Sequence, residues 1–434
     1  IGPRVKPAAM QVWPSTTSHI SRFTEIHSAS ASTRPYGLCR LGNISTAKRA
    51  NKGGVLFMLK GYKYRIYPNE EQKVLIKKTF GCVRFVYNYY LAFKIELYET
   101  EKKSISKIDC NNHLNRVLKM DENYSWLKEV DKFALTNSIY NLDSAYQNFF
   151  REIKKENKDQ GFPRYKSKRS NYHSYKTNFT NNNIEVDFKG NQIKLPKLKW
   201  ITAKIHREYN GQIKSATLSQ DPSGKYYVSI LVDTITEALP KTDKKLGIDL
   251  GLTAIIADSN GNKIENPKTL YKYERKLAKE QRKLSKKMKG GKNFHKQRIK
   301  VARIHEKISN IRKDFLHKQT FNIILENQVI ITESLNVKGM VQNKNLSKAI
   351  SDVSWHEFTR QLEYKADWYG RIYHKIHPFF PSSQLCSNCG YQNHEIKNLN
   401  IRDWVCPRCN SQHDRDINAS INIRNQGLKE LLTA

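Results

Sequence analysis

The chain has 434 residues, and 76 Lys and Arg against 40 Asp and Glu give it a formal charge of +36. At the usual size of roughly 150 residues per domain there is room for about three domains, each able to bury a core, and a field of this sign calls for a polyanionic partner, nucleic acid first. No apolar run approaches the ~18 residues needed to cross a bilayer, and no single amphipathic segment carries the charge, so no membrane partner is expected.

Residues 1–57 are serine-rich, with Glu25 as their one acidic residue and little hydrophobic periodicity, so they are not expected to fold alone. They read as a disordered extension from a fusion or upstream read-through, with an acid-poor, transit-like targeting segment as the alternative. Patterned sequence begins at Met58. Leu59 to Pro68 alternates basic with aromatic or aliphatic residues at period two and ends on proline, a strand. Asn69, Glu70, Glu71 and Gln72 then supply the polar, acidic first turn of a helix ahead of Val74, Leu75 and Phe80, and a second apolar stretch runs from Phe85 to Tyr98. Further helices are expected near Ile108 to Val117 and from Phe133 to Lys154, making residues 69–155 a helical lobe. Residues 156–241 switch to short alternating segments with turn signals at Asn182-Asn183, Gly190-Asn191 and Asp221 to Gly224, a small β-domain that pairs with the strand at 58–68.

A third region, 242–382, starts with the apolar strand Leu246 to Ala257, an Asn260-Gly261 turn and a return strand at Lys263-Ile264. A long basic helical stretch follows over 269–318, interrupted at Gly290-Gly291, with Leu277, Leu284, Ile304, Ile308 and Ile311 as a thin apolar stripe. Gln328 to Thr332 is a second buried strand, Val353 to Gly370 an amphipathic helix and Arg371 to Pro378 a third strand.

Seven cysteines are an odd number for a disulfide framework, and four of them form two tight pairs, which points to metal ligation in a reducing, intracellular compartment. Cys386 and Cys389, then Cys406 and Cys409, are C-x-x-C pairs separated by 16 residues, the spacing of a four-thiolate zinc site in a ribbon over 383–412. Gly390 and Asn410 follow the two pairs at equivalent places and tolerate the positive φ that such knuckles need. Four protein thiolates leave no open position for a water, so this Zn²⁺ is structural. Cys39, Cys82 and Cys110 are scattered and carry no assignment, and His394 and His413 flank the ribbon as surface or nucleic-acid contacts.

Three carboxylates stand out by where they fall. Asp249 interrupts an apolar strand, where an unpaired carboxylate costs several kcal/mol; alone it could equally be an edge or turn residue. Glu333 closes the second strand, and Asp416, with Asp414 as the competing choice, opens a final helix carrying Ala419, Ile421 and Ile423 in the closing segment 413–434. Carboxylates on a first strand, a later central strand and a late helix are what a two-Mg²⁺ phosphodiester-cleaving site of ribonuclease-H topology requires.

The segments YKYRIYP (62–68), FGCVRFVYN (80–88), GIDLG (247–251), ITES (331–334), DVSWHEF (352–358), PSSQLCSNCG (381–390) and HDRDINASINI (413–423), in this order, resemble TnpB, the insertion-sequence-encoded family of RNA-guided DNA endonucleases related to type V CRISPR effectors. The resemblance covers Met58 to Ala434. It implies an α/β multidomain fold: an RNase H-like (RuvC) nuclease core with an inserted zinc ribbon, a helical recognition lobe and a small β-barrel wedge domain. It places Asp249, Glu333 and Asp416 at the catalytic, Mg²⁺-binding positions and Cys386, Cys389, Cys406 and Cys409 at the zinc positions. Asn410 for the usual glycine, Ser420 for the usual alanine and the extension depart from the family pattern, and none touches the three carboxylates.

The implied function is cleavage of double-stranded DNA directed by a transposon-derived guide RNA, in the cytoplasm at the nucleoid, in support of transposition by a separate transposase of the same element. Lys276, Lys283, Lys286, Lys287, Arg298 and Arg303 on the basic stretch would contact phosphates, unless that stretch is simply a solvated charged face. Tyr62, Tyr64 and Arg65 suit base or sugar contact, with packing as the equal alternative. Two other readings remain at this stage: a nuclease-inactive, RNA-guided DNA-binding regulator, and a strand-transferring transposase using the same carboxylates.

Overall fold

The computed structural model describes residues 55–155, 161–170, 172–343 and 345–433, so the expectations for 1–54, Cys39 included, lie outside it. The first strand starts earlier than expected. Its alternating pattern forms β1 (Val55–Tyr67), whose opening residues Val55 to Phe57 already pair with Glu237 to Ile235. Six more strands follow in this half: β2 (His173–Asn178), β3 (Glu185–Asp187), β4 (Gln192–Leu195), β5 (Lys199–Lys204), β6 (Gln212–Gln220) and β7 (Tyr226–Glu237). They make one antiparallel sheet in the order β2-β6-β7-β1-β5-β4-β3, with β1 held between β7 and β5.

The helices inserted after β1 cover this sheet. Asn69 caps α1 (Glu70–Glu101), its Oδ1 accepting from Gln72 N at 2.8 Å while Gln72 Oε1 accepts from Asn69 N at 3.0 Å, a reciprocal box that satisfies two donors at the helix start. The two apolar stretches expected around residue 81 run on in this one helix, because Gly81 faces open space and nothing there breaks the ladder. After α2 (Lys107–His113) and two short irregular turns comes α3 (Lys132–Lys154), capped by Asp131. Ile76, Val86, Tyr90, Leu91, Leu135 and Leu142 pack with Ile193, Val228 and Ile230 of the sheet, so helices and strands share a single core. Each such fully buried side chain contributes about 1.5–3 kcal/mol.

The second half is a mixed α/β layer. The apolar stretch 246–257 is two strands, β8 (Lys245–Asp249) and β9 (Ala254–Asp258), rather than the single strand its composition suggests. The chain turns back at Gly251, where a Cβ would lie 2.5 Å from Ala254 O. β10 (Lys263–Glu265) then pairs with β9. A basic helical hairpin, α4 (Thr269–Ser285) and α5 (Lys292–Glu326), closes on Leu277, Val301, Ile304 and Ile308, whereas Ile311 points outward. Next come β11 (Val329–Thr332), the short α6 (Val337–Met340) and α7 (Ser347–Val353), α8 (Trp355–Tyr369), β12 (Ile372–Lys375), the small hairpin β13 (Asp403–Val405) with β14 (Gln412–Asp414), and α9 (Arg415–Leu432).

The five-stranded sheet runs β10-β9-β8-β11-β12, with β11 parallel to both β8 and β12. Every residue of β11 is buried, as a central parallel strand covered on both faces requires. Phe358, Leu362, Leu316 and Ile324 of α8 and α5 cover one face, and Ile423 of α9 meets Val329, Ile331 and Ile376 on the other. Among the described residues, no helix is long and apolar enough to cross a membrane.

Candidate active site and metal centre

The parallel register that sets Thr332 beside Ile248 also brings Glu333 and Asp249 together at the carboxyl ends of adjacent strands. Leu250 N donates to Glu333 Oε1 at 3.3 Å and fixes its carboxylate there. Burial, then the charges of Glu333 and Asp416, push Asp249 well above the usual carboxylate range, with Arg415 as a partial offset. Burial raises Glu333 to about 7, against the hydrogen bonds from Leu250 and Asp249. Two half-buried carboxylates held against each other this way are an oxygen donor pair short of positive charge.

Asp416 reaches them from α9. That helix lies so close on the sheet that a Cβ at Gly247 would sit 2.1 Å from Ser420 O and 2.7 Å from Arg424 N, and one at Gly427 would sit 2.4 Å from Ile331 Cγ2. Only glycine permits the approach. Asp414 is the helix cap, its Oδ1 accepting from Asp416 N and Ile417 N at 3.0 Å each. Burial alone would raise Asp414, but Lys263 and these amides hold it below the usual range. Lys263 Nζ lies 2.6 Å from Asp414 Oδ2 and 3.2 Å from Asp416 Oδ2, and Arg402 donates to Asp416 Oδ1 at 3.3 Å.

The DVSWHEF segment braces this centre from the other face. Trp355 Nε1 donates to Gly251 O at 3.2 Å, two residues past Asp249, and buried Asp352 accepts from Leu270 N while pairing with Arg312 at 2.6 Å, which ties α4 and α5 to the same segment.

The four cysteines converge, with their Sγ atoms all within 4.8 Å of one another. The knuckles match. Gly390 N donates to Cys386 O and Asn410 N to Cys406 O, each at 2.9 Å, with φ of 74° at Gly390 and 54° at Asn410. A soft four-sulfur donor set of this kind fits tetrahedral zinc. His413 does not stay clear of it: its Nε2 lies 3.0 Å from Cys386 Sγ and its ring 4.8 Å from that of Trp404. Asn418 Oδ1 accepts from Ser387 N at 2.9 Å, and Asn418 and Asn422 both donate to Leu385 O at 2.7 Å, stitching the ribbon to the helix that carries Asp416.

The basic and aromatic residues separate into different places. Tyr64 is fully buried and donates its hydroxyl to Arg207 O at 2.7 Å, so it is a core residue and cannot contact a base; it falls on the inward face of β1. Tyr62 is partly covered and packs on Tyr209 at 5.0 Å. Lys276, Lys283 and Arg303 line a groove of about 410 Å³ along the α4–α5 hairpin, and Arg65 and Arg303 line an adjoining cleft of about 540 Å³ with Lys225 and Lys307. Lys283 is paired with Glu280 at 2.8 Å, while Lys286 and Lys287 are exposed at the hairpin end and Arg298 is half-buried.

Asp414, the competing choice for the third carboxylate, is the cap, whereas Lys263, Arg402 and Arg415 carry no individual signal in the sequence. Only the dense charge of HDRD (413–416) hints at Arg415, and nothing local marks a lysine on β10 as a neighbour of residue 416.

Family models match the chain as "Probable transposase" over residues 226–344, "Cas12f1-like, TNB domain" over 355–423 and "Helix-turn-helix domain" over 58–103. A "Putative RNA-guided DNA endonuclease" of Streptomyces pristinaespiralis is 37% identical over 376 residues, 85% of this chain and 89% of its own. The "Putative RNA-guided DNA endonuclease InsQ" of Escherichia coli K12 is 30% identical, over 84% of this chain and 91% of its own. A "TnpB-like protein" of Acanthamoeba polyphaga mimivirus is 24% identical over 89% of this chain and 76% of its own. Identity at this level along nearly the whole of these relatives means that the chain belongs to the TnpB family of RNA-guided DNA endonucleases.

Proposed function

We propose that this protein cuts DNA at a target chosen by a bound guide RNA, hydrolysing phosphodiesters in a RuvC-like centre built from Asp249, Glu333 and Asp416. The observation that carries this is the placement of Asp249 and Glu333 at the ends of adjacent parallel strands, half-buried and facing each other, with Asp416 delivered over them by α9. The strand order β10-β9-β8-β11-β12, with one antiparallel strand next to the first, supports the ribonuclease-H-like assignment of residues 242–382. Asp416 is preferred over Asp414 because Asp416 acts on Asp249, whereas Asp414 is spent on the helix cap and Lys263.

The all-oxygen donor set and its shortage of positive charge fit hard divalent ions such as Mg²⁺. When bound, a pair of such ions activates a water and stabilises the leaving oxygen. The chain's own part is to hold three carboxylates from three separate elements in one place, with Leu250 N orienting Glu333 and Arg402 and Lys263 orienting Asp416. The sheet β1–β7 is assigned as the wedge domain, α1 to α3 as the recognition lobe, and the grooves lined by Arg65, Lys276 and Arg303 as backbone-contacting surfaces, where sequence choice passes to base pairing.

The test uses protein purified with RNA transcribed from its own locus, Mg²⁺ and a plasmid library with randomised flanks, beside the same protein stripped of RNA. Cutting only with RNA, next to one enriched flank, is the expected result. Tight guided binding without cutting would establish the regulator reading, and joined DNA ends the transposase reading.

A further inference from the structure

Around the carboxylate centre the positive charge is unevenly shared. Asp416 has both oxygens engaged by cations, Oδ2 by Lys263 and Oδ1 by Arg402, while Asp249 and Glu333 face each other. Lys263 is the more committed of the two cations. It reaches from the edge strand β10 to the start of α9 and bridges two carboxylates, the nearer being Asp414 at 2.6 Å against 3.2 Å for Asp416. Asp414 cannot leave this contact easily, because its other oxygen caps α9 through Asp416 N and Ile417 N. As the nearer partner it shares the ammonium with Asp416 and draws part of it away.

We propose that Lys263 is the resident counter-cation of the carboxylate centre, a positioning residue that engages one oxygen of Asp416 and raises the divalent-ion concentration at which the centre fills. This rests on the reading of Asp249, Glu333 and Asp416 as the Mg²⁺ ligands. An ion bound by Asp416 would share that carboxylate with an ammonium a few ångströms away, and like charges at such a separation repel even in a water-like medium. The Lys263 side chain is 34% exposed, so solvent screens the repulsion and the high-dielectric end of the range applies, about tenfold in affinity. The opposing effect, loss of orientation when the lysine is removed, is smaller, because Asp416 stays fixed in the first turn of α9 and against Arg402.

The experiment titrates Mn²⁺ into the full-length, RNA-free protein with its zinc retained, and reads bound ion by electron paramagnetic resonance. Asp249→Ala is the control for the site itself: loss of the binding is expected, and Mn²⁺ binding indifferent to this change would overturn the metal-ligand reading rather than the role of Lys263. Given that control, Lys263→Met is expected to bind Mn²⁺ about tenfold more tightly and Lys263→Arg within a few fold of wild type; unchanged or weaker binding by Lys263→Met overturns the proposal. Asp414→Asn keeps the helix cap but removes the nearer of the two carboxylates that share the lysine, so the ammonium moves fully onto Asp416 and binding weakens severalfold. Tighter or unchanged binding there overturns the proposal too, even if Lys263→Met does not fold. A merely structural cross-link would weaken binding in both variants. Tested in guided cleavage, Lys263→Met should shift the half-maximal Mg²⁺ concentration downward by a similar factor.

Discussion

Four thiols and three carboxylates come within a few residues of each other along the chain, between Cys409 and Asp416, yet they are assembled in opposite ways. The two knuckles draw four sulfurs within 4.8 Å mainly by backbone hydrogen bonds and two positive-φ residues, with Asn388 and Ser411 beside Cys409 and His413 beside Cys386. Carboxylates carry their charge from the start, so Asp249 and Glu333 are raised above their ordinary range and Asp416 is held by Lys263 and Arg402. The ribbon is organised by local chain geometry; the carboxylate centre has to be held by the whole sheet and α9.

The comparison breaks most visibly if the ribbon is dismantled and the carboxylates do not notice. Cys386→Ser should release one zinc per chain, measured by atomic absorption, and because Ser387 and Leu385 anchor Asn418 and Asn422, it should also cut guided cleavage by roughly a hundredfold through loosening of α9. Full cleavage without zinc would uncouple the two sites. Gly247→Ala attacks the same junction from the sheet side. Its Cβ would collide with the backbone of α9, so a loss of about 3 kcal/mol in urea unfolding is expected; a variant as stable as wild type would mean that α9 is not seated so closely.

The local signals were legible for the same reason that the ribbon is self-organised. C-x-x-C spacing, Gly390, Asn410 and the Asn69–Gln72 box act over a few residues, and the strands bearing Asp249 and Glu333 announce themselves by composition. The contact of Lys263 with Asp416 spans 153 positions and leaves no local trace. Tyr64 was misplaced because alternation along β1 reveals two faces without saying which is inward. The strand over 246–257 was read as unbroken because the turn at Gly251 depends on a close approach to Ala254 O that no apolar count reveals.

A finer test concerns the charge shortage itself. A carboxyl held above its unfolded value binds its proton more tightly when folded, so its contribution favours folding at low pH and is lost as the pH climbs through about 7. With divalent ions chelated, Glu333→Gln should therefore stabilise the protein by about 2 kcal/mol at pH 8 and by little at pH 4, and flatten that part of the pH–stability curve. An unchanged curve would mean that Glu333 is better compensated than its surroundings indicate. The smallest effect belongs to the other half of the molecule: Tyr64→Phe should cost about 1 kcal/mol in denaturant unfolding, for the lost bond to Arg207 O, and leave RNA affinity unchanged. Weaker RNA binding without loss of stability would return Tyr64 to the nucleic-acid surface.

The central claim is tested most directly by one paired reaction, in which RNA-loaded wild type and Asp249→Ala meet a matched DNA target with Mg²⁺ while binding and cutting are followed in the same tube. Wild type should bind and cut; Asp249→Ala should bind within a few fold and cut at least roughly a thousandfold more slowly. Cutting by Asp249→Ala at the wild-type rate would contradict the account.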